Sequence, residues 1–107
     1  MGRWRGRVRV HGLAGLLLCP VAASTAPAPP PRPPAVIYAK VCGYCHGAHV
    51  APVIRGRALP ADYIALMVRT GPRAMPAFHP TEIGDAELKS LAAWVSTSSA
   101  DPQEHEQ

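Results

Sequence analysis

Cys42-Gly43-Tyr44-Cys45-His46 is the feature that most restricts this chain, because it gathers two thiols and an imidazole into one helical turn. The segment around it, Ala35 to Ser99, offers about 65 residues to fold. Domains of that size bury too little apolar surface to be secure on their own and usually lean on disulfides, a metal or a cofactor. Something other than side chains must complete the interior.

The rest of the chain is of a different character. Seven of the 13 prolines precede Ala35, and Arg3, Arg5, Arg7 and Arg9 account for the whole formal charge of +4. The remaining basic and acidic side chains balance, so the charge gives no reason to expect a nucleic-acid partner. Those arginines lead into an apolar run, Gly12 to Ala23, which ends in small residues. That order reads as a secretory signal peptide over residues 1–26, with periplasmic export of the mature chain. Pro20 cuts the run well short of the ~20 apolar residues a spanning helix needs, so no stable membrane insertion is expected after processing. Residues 27–34, Pro-Ala-Pro-Pro-Pro-Arg-Pro-Pro, predict an extended arm outside the fold. Residues 35–99 form the domain, and residues 100–107 a polar C-terminal tail.

Within the domain the apolar spacing is helical and no alternating strand is readable, which predicts an all-α fold of three main helices. The first covers about Ala35 to Tyr44. The second begins at Pro60 and stops at Gly71-Pro72, with Tyr63, Ile64, Met67 and Val68 at helical spacing. The third covers about Asp85 to Ser96, with Leu88, Leu91, Ala92 and Val95 on one stripe and acidic residues at its positive end. The first and third are expected to cross near Tyr38 and Trp94. Gly47 to Leu59 and Gly71 to Gly84 read as loops.

C-x-x-C-H is the spacing of c-type haem attachment. Two thiols three residues apart can form thioethers with the two vinyl groups of one haem, while the adjacent imidazole comes to lie under the iron. A thioredoxin-like dithiol would need a βαβ setting, and a zinc site would need two further ligands; neither is present in the sequence. Cys42 and Cys45 are therefore the expected attachment sites of one covalent haem c, and His46 the expected proximal ligand. Met67, Met75, His49 and His79 are the candidates for the opposite axial position. Met67 falls on the apolar face of the second helix and suits core packing. His49 follows His46 too closely to reach the other haem face, and His79 lies in a polar stretch beside Pro80. Met75 is favoured, because it is carried by an aperiodic segment that Pro72 and Pro76 stiffen. Arg55, Arg57 and Arg73 can pair with haem propionates, and Arg57, just before the second helix, is preferred.

The segments Tyr38 to His46, Pro52-Val53 with Gly56 to Pro60, and Arg73-Ala74-Met75-Pro76-Ala77-Phe78 resemble class I mono-haem cytochromes c. They are most similar to the cytochrome c subunits of 4-cresol dehydrogenase (p-cresol methylhydroxylase) and related eugenol-type flavocytochromes. The resemblance covers nearly all of Ile37 to Ser96. It implies a small cytochrome c fold wrapped around one haem, with Cys42 and Cys45 as thioether sites and His46 and Met75 as axial ligands. It implies further that the Pro52 carbonyl orients the imidazole. The function so implied is electron transfer without catalysis of its own: electrons arrive one at a time from an FAD flavoprotein that oxidises 4-alkylphenols. They leave to a soluble acceptor such as azurin or another cytochrome. Ala51-Pro52 replaces the family's usual Gly-Pro, and the loop from His46 to Pro52 is shortened. Other readings are a free-standing periplasmic shuttle and a five-coordinate haem enzyme. Ala48, Val50, Ala51, Ala74 and Ala77 form the expected docking surface, being small and uncharged.

Overall fold

The computed structural model describes residues 1–2, 26–48 and 50–104. Apart from residues 1, 2 and 26, the expected leader lies outside the described residues, as do His49 and the last three residues of the tail. No described helix is long and apolar enough to cross a membrane.

The first helical segment is three pieces in series: α1 (Pro34–Ile37), a π-helical turn (Tyr38–Cys42) and α2 (Gly43–His46). Pro34 opens α1, where its missing N–H costs nothing. The wide turn closes with Gly43 N–H donating to the Tyr38 carbonyl, and a Cβ on Gly43 would stand 3.3 Å from that oxygen. Glycine there lets the chain pass the wide turn without crowding it. α3 (Ala61–Thr70) follows the first loop and α4 (Asp85–Thr97) the second. Pro60 flanks α3 as its cap rather than lying inside it. Gly71 ends α3 in the left-handed region, its N–H donating 2.9 Å to the Met67 carbonyl. With no strand elements among the described residues, the fold is the all-α one expected.

α4 packs against both α1 and α3. The buried side chains come from all three main helices and the second loop: Ile37, Tyr38, Ile64, Val68, Ile83, Leu88, Leu91, Ala92 and Val95. Tyr38 and Trp94 meet at the helix crossing with ring centroids 5.3 Å apart and planes tilted by 50°. Arg55 lies over both rings, its guanidinium carbon 5.6 Å from the Tyr38 centroid and 5.2 Å from that of Trp94. The same guanidinium reaches Asp101 at 3.0 Å and Glu104 at 3.4 Å. Gly56 N–H adds a backbone bond to the Ser98 carbonyl, 2.9 Å. The tail through Glu104 is thus folded back over the helix crossing rather than hanging in solvent. Tyr38 Oη, Arg55 Nε and Glu104 Oε2 are buried there with no hydrogen bond of good geometry. Burial, together with the nearby Glu104 carboxylate, pushes the Tyr38 phenol well above its ordinary range, so it stays protonated.

The arm also departs from expectation at its end. Arg32 grips α4: its side chain donates to both oxygens of Glu87 (2.8 and 2.7 Å) and to the Glu82 carbonyl (2.6 Å), and its backbone N–H reaches Glu87 at 2.9 Å. Sequence periodicity carries no sign of an ion pair between residues so far apart. The Arg32 side chain first, then the backbone N–H groups of Arg32 and Gly84, hold the Glu87 carboxyl down to about 2. A depressed carboxylate contributes its stability in full above its unfolded value of 4.5 and loses it as pH falls toward about 2. Wild-type protein is therefore expected to lose denaturant resistance across that window beyond the loss in Arg32→Gln. Equal acid slopes in the two would show that the clasp adds nothing.

Candidate haem centre

Cys42 closes the π-helical turn and the next four residues of the motif, Gly43 to His46, make up α2, so the motif runs across the junction of the two without a break in the helix. Cys42 is half-buried and packs against the core, while Cys45 is exposed, and neither is in a disulfide. Burial pushes the Cys42 thiol up to about 11.

The His46 ring is oriented by its neighbours. Its Nδ1 lies 2.7 Å from the Pro52 carbonyl oxygen. A carbonyl can only accept, so Nδ1 carries the proton and Nε2 is left with a lone pair for a metal. The loop that brings Pro52 back is tied by Ala51 N–H to the Cys45 carbonyl, 3.0 Å. The shortened loop with Ala51 in place of glycine thus still delivers this carbonyl to the imidazole.

Met75 occupies the second loop, half-buried and packed against the core. Its N–H donates 3.1 Å to the Pro72 carbonyl, closing a turn in which Arg73 takes a positive φ of 57°. Phe78 N–H returns to the Val68 carbonyl on α3, 2.9 Å. Met67 is half-buried but lies outside the core cluster, contrary to the packing role expected of it. Three residues of α-helix turn through about 300°, so Met67 stands about 60° round the helix from buried Ile64. His79 is exposed.

Of the three arginines considered for propionates, Arg55 is committed to the tail and the aromatic crossing. Arg57 is exposed and donates to the Val53 carbonyl, 3.2 Å, beside Pro52. Arg73 is exposed in the Met75 turn. Sequence reading passed over Arg69, which binds the second loop at the Phe78 and Ile83 carbonyls and α4 at Asp85, because nothing in spacing reveals a side chain aimed at backbone carbonyls.

The donor set itself tests whether a haem fits. Among the described residues no group of three or more His, Cys, Asp or Glu can hold a bare metal ion. One imidazole lone pair and one soft thioether are what an iron needs when a macrocycle supplies its other four bonds. Val41, Ile54, Leu59 and Ala65 are likewise only half-buried against the core, so apolar surface is left for a further apolar partner to cover. These residues fit the group.

An all-α domain with a C-x-x-C-H turn, an oriented imidazole and a methionine loop defines a c-type cytochrome. The chain belongs to the cytochrome c family described as cytochrome C oxidase, cbb3-type, subunit III, whose model matches residues 29–95, and as a member it carries covalent haem c. Over 63 residues it is 46% identical to the 4-cresol dehydrogenase [hydroxylating] cytochrome c subunit of Pseudomonas putida, covering 57% of this chain and 56% of that one. The chain thus spans little more than half the length of that curated relative. A crystal structure of p-cresol methylhydroxylase with substrate bound contains a chain 43% identical to this one. The two superpose with a TM-score of 0.57 over 63% of this chain and 93% of the other. A second crystal structure of p-cresol methylhydroxylase, at 2.5 Å resolution, gives 43% identity and a TM-score of 0.56 over 61% and 92%.

Proposed function

We propose that this chain is the exported, single-haem electron-carrying subunit of a flavin-dependent dehydrogenase acting on 4-alkylphenols. Cys42 and Cys45 hold the haem, His46 and Met75 bind its iron, and Arg57 pairs with a propionate. The observation that carries the reading is the 2.7 Å contact of His46 Nδ1 with the Pro52 carbonyl, which readies Nε2 as a permanent ligand. When bound, the haem supplies reversible one-electron chemistry at iron.

The protein's own residues do the rest. Pro52 fixes the imidazole tautomer, and the hydrogen bond strengthens its donation to the metal. An iron held by both His46 and Met75 would have no position left for small molecules, which argues against the five-coordinate enzyme. A thioether favours the ferrous state and raises the potential relative to a second imidazole. Beside the attachment turn Ala48 and Val50 are exposed and Ala51 half-exposed, and in the methionine loop Ala74 and Ala77 are exposed. Tyr44 is 81% exposed and Val50 72%, so the chain next to Cys45 presents uncharged, partly apolar side chains to solvent. Such a face suits the modest interface of an electron-transfer encounter. An FAD flavoprotein subunit docks here, and a soluble acceptor such as azurin or another cytochrome takes the electron onward.

Reduction of the haem-loaded chain by the flavoprotein with 4-cresol tests this. Ala51→Glu and Ala77→Glu are each expected to slow reduction at least tenfold while the visible spectrum stays unchanged. Unchanged rates in both variants would remove this docking surface. Failure of the wild type to accept electrons from any flavoprotein would leave the free-standing shuttle.

A further inference from the structure

Met75 is carried by a loop, and a loop has no hydrogen-bond ladder of its own to hold a side chain at a set distance from a partner. The second loop solves this by being pinned to the end of α3. Phe78, three residues past Met75, is fixed on both of its backbone groups by consecutive residues of that helix. Its N–H donates to the Val68 carbonyl at 2.9 Å, and its carbonyl accepts from Arg69 Nη1, also at 2.9 Å. The same Arg69 nitrogen donates to the carbonyl of buried Ile83 at 3.0 Å, and Nη2 meets Asp85 Oδ1 at 2.6 Å on the first residue of α4. The Arg69 side chain is 25% exposed and Asp85 86% exposed. The two carbonyl bonds therefore lie on the sheltered side, and the carboxylate is the outer contact. A planar guanidinium can span several acceptors at once, which an ammonium cannot.

We infer that Arg69 is a positioning residue for Met75: by fastening Phe78 and Ile83 to α3 it holds the methionine segment in place against that helix. This rests on the reading of Met75 as the axial ligand. Without the guanidinium, the part of the loop that carries Met75, from Gly71 to Phe78, is left with the backbone bonds of Gly71, Met75 and Phe78, and Met75 leaves the iron more often. A competing ligand then binds at lower concentration.

The test uses haem-loaded protein at neutral pH. The ferric near-infrared methionine-to-iron band is recorded first. Imidazole is then titrated into the ferric form, and carbon monoxide is mixed with the ferrous form. Arg69→Gln is expected to bind imidazole about tenfold more tightly than wild type, the order expected for loss of a charge-assisted hydrogen bond. Its carbon monoxide association should quicken similarly, with the thioether-bound haem spectrum unchanged. Arg69→Lys, which keeps the charge but loses the fork, should shift in the same direction and by less. Val95→Ala, in the core at the other end of α4, serves as the comparison for general loss of stability, with imidazole titrated at equal distance below each melting temperature. Shifts in both Arg69 variants no larger than those of Val95→Ala would overturn the inference. A wild-type protein without the near-infrared band would overturn the Met75 assignment itself, and the inference with it.

Discussion

Replacing Cys42 and Cys45 together by alanine is expected to yield a chain with no pigment attached after denaturation and with at least half of its helical signal lost. The first effect follows from the chemistry: without thiols no thioether can form. The second follows from length. α3 has ten residues and α4 thirteen, at or below the ~12–15 at which isolated helices become marginal in water. They hold only through shared packing, and among the described residues the buried apolar set is nine side chains. Val41, Ile54, Leu59, Ala65 and Met75 remain half-buried against that set, apolar surface that a bound haem would cover. Circular dichroism and a haem stain of the denatured chain provide the measurements. A colourless variant that kept wild-type helicity and melting would mean that the nine-residue core suffices without haem.

Elements with a short-range signature could be read before folding was known. α3 and α4 show their apolar faces within a dozen residues, and Gly71-Pro72 marks a stop because few other pairs can leave a helix so abruptly. The meeting of Tyr38 with Trp94 was legible from the way two amphipathic stripes must cross. The attachment motif is local by necessity, since both thiols must reach one haem.

What stayed hidden depends on pairing between distant residues. Asp101 and Glu104 look like an ordinary solvated tail until Arg55 is seen stacked on the aromatic crossing with its charge directed at them. Arg32 looks like one more polar residue of a proline arm, yet it finds Glu87 fifty-five positions away. Arg69 satisfies backbone carbonyls, and no spacing rule reports on that. Met67 shows the converse failure: helical spacing set it about a sixth of a turn from buried Ile64, which was not close enough to place it in the core.

Gly71→Ala is expected to have the largest effect of any single substitution of a residue that touches neither thiol nor ligand. Gly71 has φ +59°, and a Cβ there would lie 2.3 Å from the Ala77 nitrogen and 2.6 Å from the Pro76 carbonyl carbon. The left-handed backbone costs an ordinary L-residue about 1–2 kcal/mol. The contact is worse, because the atoms met are backbone and cannot swing aside as a flexible side chain would. Relief requires Pro76 and Ala77 to retreat from α3, and these follow Met75 directly. A loss of a few kcal/mol is a large share of the roughly 3–10 kcal/mol a domain of this size commands, and each kcal/mol lowers its melting temperature by about 4–8 °C. The variant should therefore melt at least 10 °C below wild type, and it should lose most of the near-infrared band at temperatures where its helices are intact. That second loss separates the methionine loop from the fold as a whole. Were the band to persist undiminished up to the melting point, the loop would be free to absorb a methyl group without moving Met75, and the close approach of Gly71 to Ala77 would have no bearing on the iron.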